Sequence, residues 1–106
     1  MSVVKRRAAR LDLVEIADFL AIHSGKLQTG FQFLLAAEET FDFLVQMPLL
    51  GSPRRLRSSK LRNLRQWPVK GYADYLIFYR PLQNGIEVFR VLHAKRDIED
   101  VFAVQA

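Results

Sequence analysis

The segment from Tyr72 to Ala94 has the sequence YADYLIFYRPLQNGIEVFRVLHA and decides the fold of this chain. It holds two runs of alternating strand-forming residues, 72–80 and 86–94, on either side of Asn84-Gly85. Asn and Gly both tolerate the positive φ that tight hairpin turns require, so the segment predicts a β-hairpin. Both faces of the runs are largely apolar. We therefore expect one face to lie under helices and the other to be partly covered or used for binding.

Two helices are predicted on the N-terminal side of this hairpin. The first has apolar residues at helical spacing, namely Leu13, Ile16, Ala17 and Leu20. Its start is open between Asp12, which has capping-box spacing to Glu15, and Ala8-Ala9, which are compatible with an earlier start. Gly25 fits the left-handed residue that ends a helix.

The second helix is predicted to begin near Thr29, which has capping-box spacing to Gln32, and to end before Pro48. Its expected apolar stripe consists of Phe31, Leu34, Leu35, Phe41, Leu44 and Val45. Because the connection between the two helices is short, we expect them to pair as an antiparallel hairpin.

Three shorter elements complete the prediction. Val3-Val4 indicates a brief first strand, residues 61–66 a further strand, and residues 97–104 a short C-terminal helix capped by Asp97. The order is β-α-α-β-β-β with the added terminal helix. This order predicts an α+β fold in which a two-helix hairpin packs on a small antiparallel β-sheet. With 106 residues, the chain is expected to form a single domain, 1–106.

Composition excludes several classes of protein. Hydrophobic residues make up 50% and charged residues 25%, which is typical of a folded chain. No apolar run approaches the roughly 20 residues that span a bilayer, and no apolar region follows the basic N-terminus as a secretory signal requires. The chain has no Cys, so disulfides and thiolate metal sites are excluded. We expect a cytoplasmic protein with no membrane partner.

The charge is strongly segregated along the chain. The formal net charge is +5, yet no acidic residue occurs between Pro48 and Ala73. Seven basic residues fall in that stretch: Arg54, Arg55, Arg57, Lys60, Arg62, Arg65 and Lys70. Such a stretch, with Trp67 beside it, favours binding of phosphates or of an acidic peptide, while a solvated connection is the alternative.

Candidate catalytic groups are few. The scattered glycines and the two isolated histidines predict no phosphate loop, no metal site and no cofactor. The carboxylates fall on helical segments, where a solvated face explains them. His93, Lys95 and Arg96 cluster after the last strand, although Arg96 can instead pair with Asp97, Glu99 or Asp100. For Arg80 and Arg90, the expected partners are Asp74 and Glu87.

Five motifs occur in order along the chain and together resemble those of the RelE/ParE toxin superfamily. They are Ala9-Arg10-Leu11-Asp12-Leu13-Val14-Glu15-Ile16, Met47-Pro48-Leu49-Leu50-Gly51, Leu61-Arg62, Tyr75-Leu76-Ile77-Phe78-Tyr79-Arg80, and Val91-Leu92-His93-Ala94-Lys95-Arg96-Asp97. The resemblance covers about residues 3–102. It implies the toxin of a type II toxin–antitoxin module, and an antitoxin (ParD-like or similar) that wraps the helix hairpin and the sheet. Promoter DNA would be bound only through the antitoxin.

The resemblance leaves three functions to compare. RelE-like toxins cleave mRNA on the ribosome, ParE-like toxins inhibit DNA gyrase, and a relative that only binds antitoxin would be non-toxic. Leu76 stands where RelE-like toxins have an arginine, and Val101-Phe102 where they have a tyrosine. The ribonuclease set is thus incomplete, which favours the ParE branch and an inhibitor rather than an enzyme.

The resemblance and the charge pattern together name candidate residues. Those for toxicity and target binding are Arg62, Arg65, Arg80, His93 and Arg96. If the protein were a ribonuclease, the catalytic candidates would be His93, Arg96 and Arg65. Candidates for antitoxin binding are Arg54, Arg55, Arg57, Phe19 and Trp67.

Overall fold

The computed structural model describes residues 2–104. Its elements are β1 (Ser2–Lys5), α1 (Arg7–Ser24), α2 (Leu27–Gln46), β2 (Ser52–Pro53), β3 (Arg65–Val69), β4 (Tyr72–Leu82), β5 (Gly85–His93) and α3 (Ile98–Ala103). The predicted α+β class and element order are confirmed, with the two-residue strand β2 as an addition.

The five strands form one sheet in the order β1-β5-β4-β3-β2. Three of the four neighbouring pairs are antiparallel, whereas β1 runs parallel to β5. The prediction of a purely antiparallel sheet is therefore wrong at this edge. Parallel neighbours need a long crossover connection, which the helix hairpin and the intervening strands supply.

The hairpin of β4 and β5 is confirmed, but its turn lies one residue earlier than predicted. Leu82 pairs with Gly85, and of the two residues expected at positive φ only Gly85 has it. The strand predicted at 61–66 begins instead at Arg65 and continues to Val69. Asn63 explains the shift, since its φ of 62° interrupts the extended chain just before β3.

Neither predicted capping box is present. Helix α1 begins at Arg7 and α2 at Leu27, and neither start has a side-chain cap. Two other end signals are confirmed. Gly25 closes α1 in the left-handed conformation at φ 71°, and the Asp97 side chain accepts a hydrogen bond from the backbone N–H of Asp100 at the start of α3.

Both faces of the sheet carry a hydrophobic core. The core under the helix hairpin includes Phe33, Ala37, Phe41, Leu44, Ile77 and Val88. The opposite face carries Leu64, Phe78, Phe89, Leu92, Ile98 and Phe102. The prediction of a second, partly covered face is confirmed, and α3 together with the chain before β3 supplies that cover.

The predicted apolar stripe of α2 is only partly correct. Phe31 and Leu35 are 64% and 66% exposed, while Phe33 and Ala37 are fully buried. The contact between the helices sets this rotation: a Cβ on Gly30 would lie 2.6 Å from the carbonyl oxygen of Ala17. Only glycine allows the two helices to approach so closely, so Gly30 faces α1 and Phe31 turns outward.

An ion pair joins α1 to the sheet. Asp12 accepts from Arg90 Nε at 2.6 Å and Nη2 at 2.7 Å, and from the backbone N–H of Val91 at 3.0 Å. The expected solvated position of Asp12 and the expected partners of Arg90 are both wrong. The hydrogen bonds that Arg90 donates to Asp12 outweigh partial burial and raise the pKa of Arg90. At 5% exposure, Asp12 is a structural carboxylate.

A second link fixes the turn that follows α2. The Tyr79 hydroxyl donates to the carbonyl of Pro48 at 2.8 Å and accepts from the N–H of Gly51 at 2.9 Å. A Cβ on Gly51 would lie 2.5 Å from that hydroxyl oxygen, so no larger residue fits. Burial raises the pKa of Tyr79 above its ordinary value. This turn positions one wall of the basic cleft described next.

Candidate functional site

A cleft of about 730 Å³ lies beside β2 and β3, with Pro81 of β4 at its margin. Four arginines line it: Arg54, Arg55, Arg62 and Arg65. Two of them are anchored by neutral groups. Arg54 donates to the Gln66 side chain at 2.9 Å, and Arg65 donates to the carbonyls of Leu49 at 3.1 Å and Gly51 at 2.7 Å. Arg55 and Arg62 are exposed.

The loop that carries these cations is held by α3. The Glu99 carboxylate accepts from the backbone N–H of Arg57 at 3.0 Å and of Ser58 at 2.8 Å, and the Ser58 hydroxyl donates to the Glu99 carbonyl at 2.5 Å. Ile98 and Phe102 bury the inner side of this short helix. The basic loop therefore has a defined position against the sheet.

This anchor predicts a pH dependence. The pKa of Glu99 lies below its ordinary 4.5. The largest cause is the hydrogen bond from the Ser58 side chain, followed by those from the backbone N–H groups of Arg57 and Ser58. Because the pKa of Glu99 is lower in the folded than in the unfolded state, its ionised form stabilises the fold at pH values above the unfolded-state pKa. That stabilisation is lost as the pH falls through the folded-state pKa. We expect Glu99→Gln to lower the melting temperature at pH 7 and the difference from wild type to shrink below about pH 4. A constant difference between pH 7 and pH 3 would contradict the assignment.

Within residues 2–104, no ion pair neutralises the basic cleft. The ion pairs among residues 2–104 are Lys5–Glu38, Arg6–Glu87, Arg80–Glu87 and Arg90–Asp12. None of them involves the seven cations between positions 48 and 73. Glu99 is the carboxylate that contacts the loop, through backbone N–H groups rather than an ion pair. The cleft and its loop therefore keep a net positive field that attracts anionic partners.

Arg80, a predicted toxicity residue, lies next to a shared carboxylate. Its Nε donates to Glu87 at 2.8 Å, which confirms one of its two expected partners, and Arg6 donates to the other oxygen at 2.9 Å. Both guanidinium groups lie over the Phe89 ring, at 5.6 Å and 4.4 Å from its centroid. Burial acts to raise the pKa of Glu87, but the two arginines outweigh it and the pKa is lowered. One carboxylate for two guanidiniums leaves a positive patch here.

His93 and Arg96 lie away from the cleft. His93 packs edge-on to Tyr75 at 5.1 Å, and its Nδ1 accepts from the N–H of Lys95 at 3.1 Å. Tyr75 and Pro81 are six positions apart on β4, roughly 20 Å at about 3.3 Å per residue. Arg96 is exposed, and its expected ion pairing with the nearby acids does not occur in the described part of the chain. The predicted basic residues do not form one cluster.

Large apolar side chains are exposed on both helices of the hairpin. Leu27, Phe31 and Leu35 follow each other at intervals of four on α2, so they share one face. The large apolar residues exposed by more than half on the two helices are Leu11, Val14, Ile22, Leu27, Phe31 and Leu35. A surface of this kind typically marks a protein-binding site. We call these six residues the outer helix face.

The predicted antitoxin residues fall on separate surfaces. Phe19 is 49% exposed and stacks on His23 at 3.8 Å. Trp67 lines a second groove of about 790 Å³ with Thr40, Phe43 and Pro68. Arg54 and Arg55 line the basic cleft, and Arg57 lies on the adjoining loop. The sequence prediction missed the outer helix face, although the surplus of large apolar residues on α2 beyond one stripe was its signal.

Among residues 2–104, no three His, Asp or Glu side chains are grouped so that they could hold a metal ion. No helix within this range is long and apolar enough to cross a membrane.

Comparison with known proteins identifies relatives. The family model described as "ParE toxin of type II toxin-antitoxin system, parDE" matches residues 3–98. Among solved structures, a chain of the chromosomal ParDE toxin–antitoxin system from P. aeruginosa superposes with a TM-score of 0.68 at 20% identity. The alignment covers 88% of this chain and 95% of that one. No curated protein matched the sequence.

Proposed function

The chain belongs to the ParE toxin family of type II toxin–antitoxin systems, and from that premise we propose that it inhibits DNA gyrase and is neutralised by a cognate antitoxin. Gyrase inhibition and neutralisation are both binding events. The observation that carries the proposal is that this fold exposes two surfaces suited to binding. The outer helix face offers apolar area to a protein partner, and the basic cleft offers uncompensated charge.

A ribonuclease is the second candidate, and the packing around α3 disfavours it. Phe102 stands where RelE-like toxins have a tyrosine. It is fully buried with its ring 5.5 Å from that of Phe78, so this position serves the core. Leu76 packs against the same core. Arg65 pairs with Tyr79 on one side of β4 and His93 pairs with Tyr75 on the other, so these two candidate catalytic groups lie on strands that are not neighbours.

The test measures gyrase inhibition and mRNA cleavage, each with the wild-type protein and with Arg96→Ala. We expect the purified protein to inhibit ATP-dependent supercoiling by gyrase, and Arg96→Ala to weaken that inhibition about tenfold, the size of a moderate interface contact. Because Arg96 is exposed, the melting temperature of the Arg96→Ala variant should stay within about 1 °C of wild type. Arg7→Ala, which removes an exposed arginine on α1, is the matched control and should inhibit normally.

Three outcomes would change the proposal. Equal loss of inhibition and of melting temperature in Arg96→Ala would make Arg96 structural. An unaffected gyrase at stoichiometric excess, with mRNA cleavage in a translation extract that is lost in Arg96→Ala, would make the protein a ribonuclease. Neither activity, with normal growth on induction, would make it a non-toxic relative that binds antitoxin.

The basic loop is proposed to steer the antitoxin. Charges at the margin of an interface act mainly on the association rate and are screened by salt. We expect the triple variant Arg54→Glu, Arg55→Glu and Arg57→Glu to slow antitoxin association about tenfold or more in low salt, with little change in dissociation. The difference should disappear in high salt. An association rate equal to wild type in low salt would rule out steering by this loop.

A further inference from the structure

We infer that the basic cleft, with the loop beside it, binds the phosphate backbone of double-stranded DNA. The inference rests on the proposed function and deepens it, because it gives the protein its own contact with the nucleic acid on which gyrase acts. The site consists of Arg55 and Arg62 in the cleft and of Arg57 and Lys60 on the adjoining loop.

Charge is the first argument. These four side chains are exposed, none has a carboxylate partner within residues 2–104, and Arg62 reaches only the carbonyl of Lys60. Arg90 and the two arginines that share Glu87, by contrast, are already paired with carboxylates. Duplex DNA presents one charge per ~1.7 Å of axis, and cations that bind it release condensed counterions. Unpaired cations therefore gain most from such a ligand.

The framework of the site is the second argument. Arg54 and Arg65 are tied to Gln66 and to the carbonyls of Leu49 and Gly51, and Glu99 holds the loop by two backbone N–H groups. These contacts fix the walls from which the free cations project. A fixed array loses less conformational freedom on binding than a mobile loop does.

The lining of the cleft favours duplex over single-stranded nucleic acid. Single strands are held by bases stacked on exposed aromatic rings. The described lining contains no aromatic side chain, and the Phe78 ring, whose centroid lies 6.0 Å from the Arg54 guanidinium, is buried. Contacts to phosphates alone carry no sequence information, so we expect binding independent of sequence.

A protein ligand is better served elsewhere on this chain. The outer helix face supplies the apolar anchors that protein interfaces use, while the free groups at the cleft are cations. Guanidinium groups suit phosphates because they bind them in bidentate fashion. An acidic peptide is thus the alternative that the experiment must exclude.

The experiment measures binding of the full chain to a fluorescent 24-base-pair DNA duplex at several salt concentrations. With four phosphate contacts, the logarithm of affinity should fall against the logarithm of salt with a slope of roughly −3 to −4. The double variant Arg55→Gln and Arg62→Gln should reduce this slope by about 2. The control double variant Arg7→Gln and Lys26→Gln changes the net charge equally, at exposed positions on the helix hairpin, and should keep the wild-type slope.

Each other outcome overturns the inference. Equal loss in both double variants would mean that net charge alone attracts DNA. Tighter binding to a single strand of the same length would point to base contacts. Binding of poly-glutamate but not of the duplex, lost in Arg55→Gln and Arg62→Gln, would assign the cleft to an acidic peptide.

The assay needs no gyrase, so the inference and the proposed function fail separately. Inhibition of gyrase by a protein that does not bind the duplex would remove only the DNA contact. If the protein binds the duplex with the expected salt dependence but does not affect gyrase, the proposed target is excluded and the DNA site remains.

Discussion

Replacing Asp12 with alanine is expected to lower the free energy of unfolding by about 3–5 kcal/mol, the cost of breaking a buried ion pair from one side. The side chains of Asp12 and Arg90 are only 6% and 14% exposed, so water cannot take over the role of the lost carboxylate. The variant would leave both the guanidinium of Arg90 and the N–H of Val91 without their acceptor. Urea unfolding of the purified variant measures this loss.

Two further variants separate the ion pair from general effects on α1. Asp18→Ala removes an exposed carboxylate from the same helix and should change stability by less than about 0.5 kcal/mol. The double variant Asp12→Leu and Arg90→Met removes both charges, and should recover much of the loss because apolar pairs often replace buried ion pairs without cost. A loss below about 1 kcal/mol in Asp12→Ala would mean that the pair behaves as a surface salt bridge.

Two phenylalanines on α2 should separate folding from antitoxin binding. Phe33 is fully buried and meets Tyr72 and Tyr75 edge-on at 5.1 Å and 5.4 Å. We expect Phe33→Ala to lower the free energy of unfolding by about 3–5 kcal/mol through loss of transfer energy and formation of a cavity. Phe31, two positions earlier, is 64% exposed, so Phe31→Ala should alter stability by less than about 0.5 kcal/mol.

The proposed antitoxin contact reverses this order in a binding assay. If the outer helix face is the apolar anchor, Phe31→Ala should weaken antitoxin affinity by about 2 kcal/mol, roughly thirtyfold, as a central aromatic contact does. Titration calorimetry with the antitoxin measures this change. Wild-type affinity in both Phe31→Ala and Leu35→Ala would exclude the outer helix face as the docking surface.

The helix positions show how far periodicity can predict such sites. Spacing correctly located α1, α2 and the hairpin of β4 and β5, because each pattern depends on neighbours within a few residues. It assigned the buried side of α2 only partly correctly, since large apolar residues occupy both sides. The contact of Gly30 with Ala17 decided the buried side, and it joins residues on different helices.

The candidate site was predictable in its charge and not in its grouping. The acid-free stretch alone indicated a basic surface. The structure places four of its seven cations around one cleft and Lys70 at the second groove. Sequence spacing gave no sign that His93 and Arg65 lie apart, because the pairing of β3 and β5 with β4 sets their positions. It also gave no sign that Glu99 would be used to hold the loop, since 42 positions separate it from Arg57.

The sequence by itself determined the α+β class, the order of the elements and the segregation of charge. These follow from local periodicity, turn residues and composition, which act over short stretches of chain. Only the tertiary structure decided the parallel edge of β1, the pairing of Asp12 with Arg90 and the enclosure of Tyr79 by the turn of Pro48 and Gly51. Each depends on groups brought together from distant positions, and a buried polar atom takes whichever partner the packing places within reach.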